Sequence, residues 1–183
     1  MEFAFAKCFV LLFPLVSSIE ITPEITFQRF EQTTGFDVLR NTMRVRKFNR
    51  TSAVVNGTVD IYVDLDNTFT VKINMAFSRL GNNQFNMSPM KIPEQPICEF
   101  LNGTYRDYQY VFENTSNYPR VGEEGLCPFP AGHYWVKNLG FDATRLKVAF
   151  PEGFYRFIFV MTGQPNGSVE FVFYIKLSRE SFW

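Results

Sequence analysis

Apolar and polar residues alternate with period two along much of the chain, and helical spacing is scarce. In FTVKINMAFS, Phe69, Val71, Ile73, Met75 and Phe77 alternate with Thr70, Lys72, Asn74, Ala76 and Ser78, the pattern of a strand with one face on a core. Just before it, Val59, Ile61, Val63 and Leu65 alternate with Asp60, Tyr62 and Asp64. The Asp66-Asn67 pair supplies turn chemistry, so a hairpin is predicted there. Earlier strands are predicted from about Glu24 to Phe30 and from about Thr42 to Phe48.

The last third repeats the theme. FYRFIFVM, from Phe154 to Met161, is apolar on nearly both faces, as a central strand packed on two sides would be. Gly163, Pro165, Asn166 and Gly167 form a turn, after which Val169, Phe171, Phe173, Ile175 and Leu177 alternate with Glu170, Val172, Tyr174 and Lys176. This predicts a second hairpin.

One helix is predicted, because Leu101, Tyr105, Tyr108 and Phe112 are spaced by four, three and four residues. Gly103 within it costs about 1 kcal/mol. The following SNYPRVGEEGLCPFPAG reads as a loop. A strand then starts at His133, with His133, Trp135 and Leu139 on one side and Tyr134 and Val136 on the other. Several short strands, one helix and many turns predict an all-β sandwich or cup.

A chain of 183 residues is one domain's worth. The first eighteen, MEFAFAKCFVLLFPLVSS, carry an early Lys7, an apolar run from Cys8 to Val16 and small Ser17 and Ser18. That is the grammar of a secretory signal peptide over residues 1–18, too short to span a bilayer. A single domain over residues 19–183 follows, and no later stretch is apolar enough to be transmembrane. The acceptor pattern Asn-x-Ser/Thr at Asn49, Asn56, Asn102, Asn114 and Asn166 predicts a secreted, extracellular glycoprotein. Asn86 is discounted because Pro89 follows its Ser88.

Removing the leader removes Cys8, which leaves Cys98 and Cys127 as the one possible disulfide in an oxidising compartment. Closing a loop of about thirty residues would stabilise the fold by roughly 3 to 4 kcal/mol. Two cysteines and one histidine fall short of a structural zinc site, so no metal and no cofactor are expected. Asp64 and Asp66 read as turn chemistry.

Basic and acidic residues balance at 18 each. Electrostatics therefore offers no argument for a nucleic-acid partner or an anionic membrane surface, and no nucleic-acid partner is expected. The basic cluster of Arg40, Arg44, Arg46, Lys47 and Arg50 reads as a solvated face. No nucleophile elbow, phosphate loop or zinc-protease helix is present, and the lone His133 opens a strand behind Pro128 and Pro130. The chain is therefore expected not to be an enzyme.

The unusual quantity is aromatic content, with 22 Phe, 8 Tyr and 2 Trp. Rows of five large side chains on two strands suit either a solid core or the lining of an apolar cavity. Period two alone does not separate these.

The order RVRKFNRTSAVVNGTVDIYVDLD, FTVKINMAFSRLGNNQFNMSPMKIPEQPICEFL, GLCPFPAGHYWVKN and FPEGFYRFIFVM resembles the insect secreted chemosensory proteins of the CheA and CheB type. These are similar to the ganglioside-activator protein and the wider ML lipid-recognition superfamily. The resemblance runs from about Ile25 to Leu177. It implies an immunoglobulin-like β-cup holding a lipid or other small apolar ligand, a pheromone or cuticular hydrocarbon for example. It also implies a role in chemosensation beside a receptor or channel. The ganglioside activator has several disulfides and this chain one, so glycolipid specificity does not carry over.

The candidate lining residues are Phe69, Val71, Ile73, Met75, Phe77, Trp135, Phe157, Phe159, Phe171 and Phe173. A monomeric carrier or presenter is expected. The competing expectation is a solid glycosylated sandwich acting through its surface as an extracellular partner or channel accessory.

Overall fold

The alternating rows identified above lie on two antiparallel sheets that face one another. The structure is a computed structural model, described over residues 21–49, 52–145, 150–163 and 167–181. The leader expected over 1–18, Arg50 of the basic cluster and the sequon Asn166 lie outside the described residues.

The first sheet has the order β1-β9-β8-β5-β6. Its strands are β1 (Ile21–Thr34), β5 (Phe69–Ser78), β6 (Asn86–Pro96), β8 (Gly153–Gly163) and β9 (Gly167–Ser181). The second sheet is built on β4 (Ala53–Ile61). Along one edge of β4 run β2 (Leu39–Asn41) and β3 (Arg44–Lys47), and along the other runs β7 (Gly132–Leu139). The fold is an all-β sandwich with one short helical segment and one disulfide.

Period two decides the inner face because pairing is in register across three strands. Ile73 lies opposite Phe159 and Phe159 opposite Phe171, while Met75 lies opposite Phe157 and Phe157 opposite Phe173. Val59 and Ile61 of β4 meet Phe69, Met161 and Val169 in one core cluster, and Val55 and Val136 meet Met75 and Tyr155 in another. Gln32 at the end of β1 stitches the sheets together. Its amide donates to Leu39 O at 2.7 Å and accepts from Asn41 N at 3.0 Å.

The hairpin predicted over 59–77 does not form. β4 ends at Ile61 and belongs to the second sheet, whereas β5 pairs with β6 and β8. The alternation runs on past Ile61 for another reason: Leu65 bridges Phe129 through reciprocal 2.9 Å backbone bonds. Asp66 accepts from Thr68 N and Oγ1, which holds its carboxyl below the usual carboxylate range. Asn67 Oδ1 accepts from Cys98 N at 3.2 Å. The turn therefore crosses between sheets and docks the start of the helix.

The sequence pattern does not predict β6, because Pro89, Pro93 and Pro96 interrupt it. An edge strand tolerates them, since its outward amides have no partner to lose.

The predicted helix occupies residues 97–111, here α1. It comprises an α turn Ile97–Phe100, a π segment Leu101–Tyr105, an α turn Arg106–Tyr108 and a 3-10 turn Gln109–Val111. Leu101 is buried and Tyr105 and Tyr108 are half-buried, as their spacing requires. Cys98 is bonded to Cys127, with Cα atoms 5.4 Å apart. No helix among the described residues is long and apolar enough to cross a membrane.

Candidate functional site

Two cavities of about 340 Å³ each border the inner face of the first sheet. The second lies between the sheets, with Val55, Val59, Ile61 and Val136 on one wall and Phe30, Phe159, Met161 and Phe171 on the other. Every one of its lining residues is buried or half-buried. The first lies towards the end of the sheet where β1 and β9 carry Ile25, Ile175 and Leu177, and it is closed by Thr104, Tyr108, Phe141 and Phe150. Exposed Met90 and Lys91 of β6 also line it, and they mark its mouth. Phe27, Ile73, Thr104, Tyr108, Phe141 and Phe173 border both cavities and form their common wall.

Six of the ten predicted lining residues reach this space. Ile73, Met75, Phe157 and Phe173 line the first cavity, and Ile73, Phe159, Phe171 and Phe173 line the second. Phe157 and Phe173 stack face to face with ring centroids 4.8 Å apart. Such cross-strand aromatic pairs are the strong units of a sheet.

Phe69, Val71, Phe77 and Trp135 line neither cavity, and each has a physical reason. Phe69 lies across Gly163, where a Cβ would overlap its ring, and Phe77 lies across Gly153, where a Cβ would come 2.6 Å from its Cε2. Glycines at both ends of β8 thus draw the terminal rings of β5 onto the backbone and leave the middle of the strand for the cavity. Val71 is fully buried in solid packing beside Met161. Trp135 alternates with the buried Tyr134 and Val136 of β7, so it faces outward, with Lys137 Nζ 5.1 Å from its ring. Tyr134 and Val136, not Trp135, face the interior.

Residues outside the predicted set complete the walls. Met90 and Ile92 lie on the proline-rich β6, Phe141 and Phe150 on connections, and Thr104 and Tyr108 on α1. The helical spacing of Tyr108 with Leu101 and Tyr105 was the one sequence signal for these.

The polar groups of the second cavity's wall are hydroxyls, and Tyr134 packs behind it. Tyr105 Oη donates to Pro119 O at 2.8 Å and Tyr134 Oη donates to Pro130 O at 2.7 Å. Burial pushes Tyr105 up to about 12 and raises Tyr134 as well. Tyr118, which also lines the second cavity, is raised by burial and by the two neighbouring phenols. Its own hydroxyl has no hydrogen-bond partner among the described residues. Such a wall, apolar with a few placed hydroxyls, is what small-molecule sites are made of.

The remaining candidates lie elsewhere. His133 Nδ1 sits 2.5 Å from Asp60 Oδ1 on the outer face of β7 and β4, with its side chain 65% exposed, and it borders neither cavity. Among the described residues, no three His, Cys, Asp or Glu side chains gather as metal ligands. Asp64 Oδ1 accepts from Ala131 N at 2.7 Å, a structural cap. Arg40, Arg44, Arg46 and Lys47 are exposed. Of the sequons, Asn49 and Asn114 are exposed and Asn56 is half-buried, whereas the amide of Asn102 is committed to backbone groups of the disulfide loop.

With this geometry in place, comparison with known proteins adds one match. The family described as "Protein of unknown function (DUF1091)" matches residues 71–157, from within β5 to within β8 and just under half of the chain. The match is consistent with the resemblance to ML-like proteins. No curated protein matches the chain.

Proposed function

We propose that the protein is a secreted, non-enzymatic carrier that holds a small apolar ligand between its sheets and presents it to a receptor or channel, in insect chemosensation. The observation that carries this reading is the pair of apolar cavities, each about 340 Å³, on the face where packed sandwiches place solid core. An apolar ligand that buries about 300 Å² there gains on the order of 7 kcal/mol from leaving water. Part of that is lost to immobilisation. No bond need be made or broken. The leader and the exposed sequons support secretion, and the resemblance to CheA- and CheB-type proteins supports the chemosensory setting.

Native mass spectrometry of protein secreted from eukaryotic cells, with organic extraction of the purified material, tests the reading. The expected result is a non-covalently held molecule of a few hundred daltons. Protein that emerges empty and ignores fatty acids, long-chain alcohols and cuticular hydrocarbons would overturn it.

A further inference from the structure

Lys91 is the only charged residue among the described residues that line either cavity. It is exposed on β6 beside Met90, at the mouth of the first cavity. A lysine in that position lays its methylene stem along the apolar wall and keeps its ammonium at the water boundary. The one carboxylate of β6 is already engaged: Glu94 sits 3.7 Å from Lys72 Nζ and accepts from Thr70 Oγ1 at 2.9 Å. Among the described residues Lys91 itself has no ion-pair or hydrogen-bond partner.

From this we infer that the ligand is a chain with an anionic head group, its chain along Ile73, Met75, Phe157 and Phe173 and its head paired with Lys91. The inference rests on the carrier reading above and narrows its ligand to a chemical class. A neutral hydrocarbon uses the apolar wall and leaves the ammonium idle. A cationic amphiphile meets like charge at the mouth. An acid satisfies both, because a charge-assisted hydrogen bond at a partly desolvated rim is stronger than a neutral one.

The test is displacement of a fluorescent apolar probe, N-phenylnaphthylamine, by tetradecanoic acid and by tetradecanol, which share one chain and differ in the head. On the wild-type protein the acid is expected to displace the probe at about tenfold lower concentration than the alcohol. Lys91→Met keeps the apolar stem and is expected to remove that advantage, so that acid and alcohol displace the probe at similar concentrations. Lys91→Glu is expected to reverse it. Circular dichroism of each variant checks that the fold is intact. Equal displacement by acid and alcohol on the wild-type protein, or an acid preference that survives Lys91→Met, overturns the head-group inference and leaves the carrier standing. Failure of the probe and of both chains to bind sinks the carrier reading and this inference with it.

Discussion

Asn102 grips Leu126 through both ends of its side-chain amide: Oδ1 accepts from Leu126 N at 2.7 Å, and Nδ2 donates to Leu126 O at 3.2 Å. The same Nδ2 donates to Cys98 O at 2.8 Å. One side chain thus holds the backbone on both sides of the Cys98–Cys127 disulfide. A glycan on Nδ2 leaves that nitrogen one proton for two carbonyls and pushes a sugar into the loop. Glycopeptide mass spectrometry of the protein expressed through the secretory route of eukaryotic cells is therefore expected to find Asn102 bare and Asn49 and Asn114 modified. Asn102→Ala is expected to cost about 1 to 3 kcal/mol in denaturant unfolding, because buried loop groups lose their partners. A glycan on Asn102 in folded protein would refute this account of the sequon.

The disulfide closes a loop with a sequence separation of 29 residues that contains all of α1 beyond Cys98. In the chain-entropy picture its removal costs roughly 3 to 4 kcal/mol. Cys98→Ser with Cys127→Ser is expected to lower the midpoint of urea unfolding accordingly. Because α1 supplies Thr104 and Tyr108 to the wall shared by the cavities, ligand affinity is expected to fall in the same variant. A double variant with unchanged midpoint and affinity would show that α1 is held by packing alone.

Much of this was legible in the sequence, and the misses share a cause. Alternation located β5, β8 and β9 and named Ile73, Met75, Phe157, Phe159, Phe171 and Phe173, because period two reports which face a side chain takes. It does not report what lies above that face. Phe69 and Phe77 share the parity of Ile73, yet glycines across the strand draw them out of the cavity. The same limit misassigned the partner of β5. Residues 59–65 alternate as a hairpin strand would, but Leu65 takes its bridge from Phe129, which lies 64 residues further on. For Trp135, only the burial of Tyr134 and Val136 settles which side of β7 is inner.

Ile73 borders both cavities and Phe69 borders neither, which separates cavity wall from solid core. Enlarging a side chain in a filled core costs about 1 to 3 kcal/mol. Ile73→Trp instead extends into empty volume, so it is expected to keep the wild-type melting temperature within a few degrees and to abolish probe binding. Phe69→Ala, in solid packing over Gly163, is expected to cost about 3 to 5 kcal/mol. A strongly destabilised Ile73→Trp protein that still binds the probe would mean that the space is not where the ligand sits.

Raised tyrosines give the fold an alkaline limit whose direction follows from linkage. Burial pushes both Tyr105 and Tyr155 up to about 12 from an ordinary value of 10.0, and Tyr118 is raised by burial and its phenol neighbours. Below pH 10 these phenols are neutral in both the folded and the unfolded chain and contribute no pH dependence. Between 10 and 12 the unfolded chain releases protons that the native state retains, so the native state binds more and stability falls as pH rises. Urea midpoints are therefore expected to be flat up to pH 10 as far as these groups are concerned, and to drop steeply above it. Phenolate absorbance should show a group of tyrosines that ionise only as the fold is lost. The two hydroxyls nearest the cavity should behave differently on deletion. Tyr105→Phe leaves the Pro119 carbonyl without its donor and is expected to cost about 1 kcal/mol. Tyr118→Phe removes a hydroxyl with no partner among the described residues, and is expected to be neutral or stabilising and to shrink the alkaline drop. Equal losses from the two substitutions would show that the Tyr118 hydroxyl is bonded in solution, and a midpoint that stays flat to pH 12 would refute the burial of these phenols.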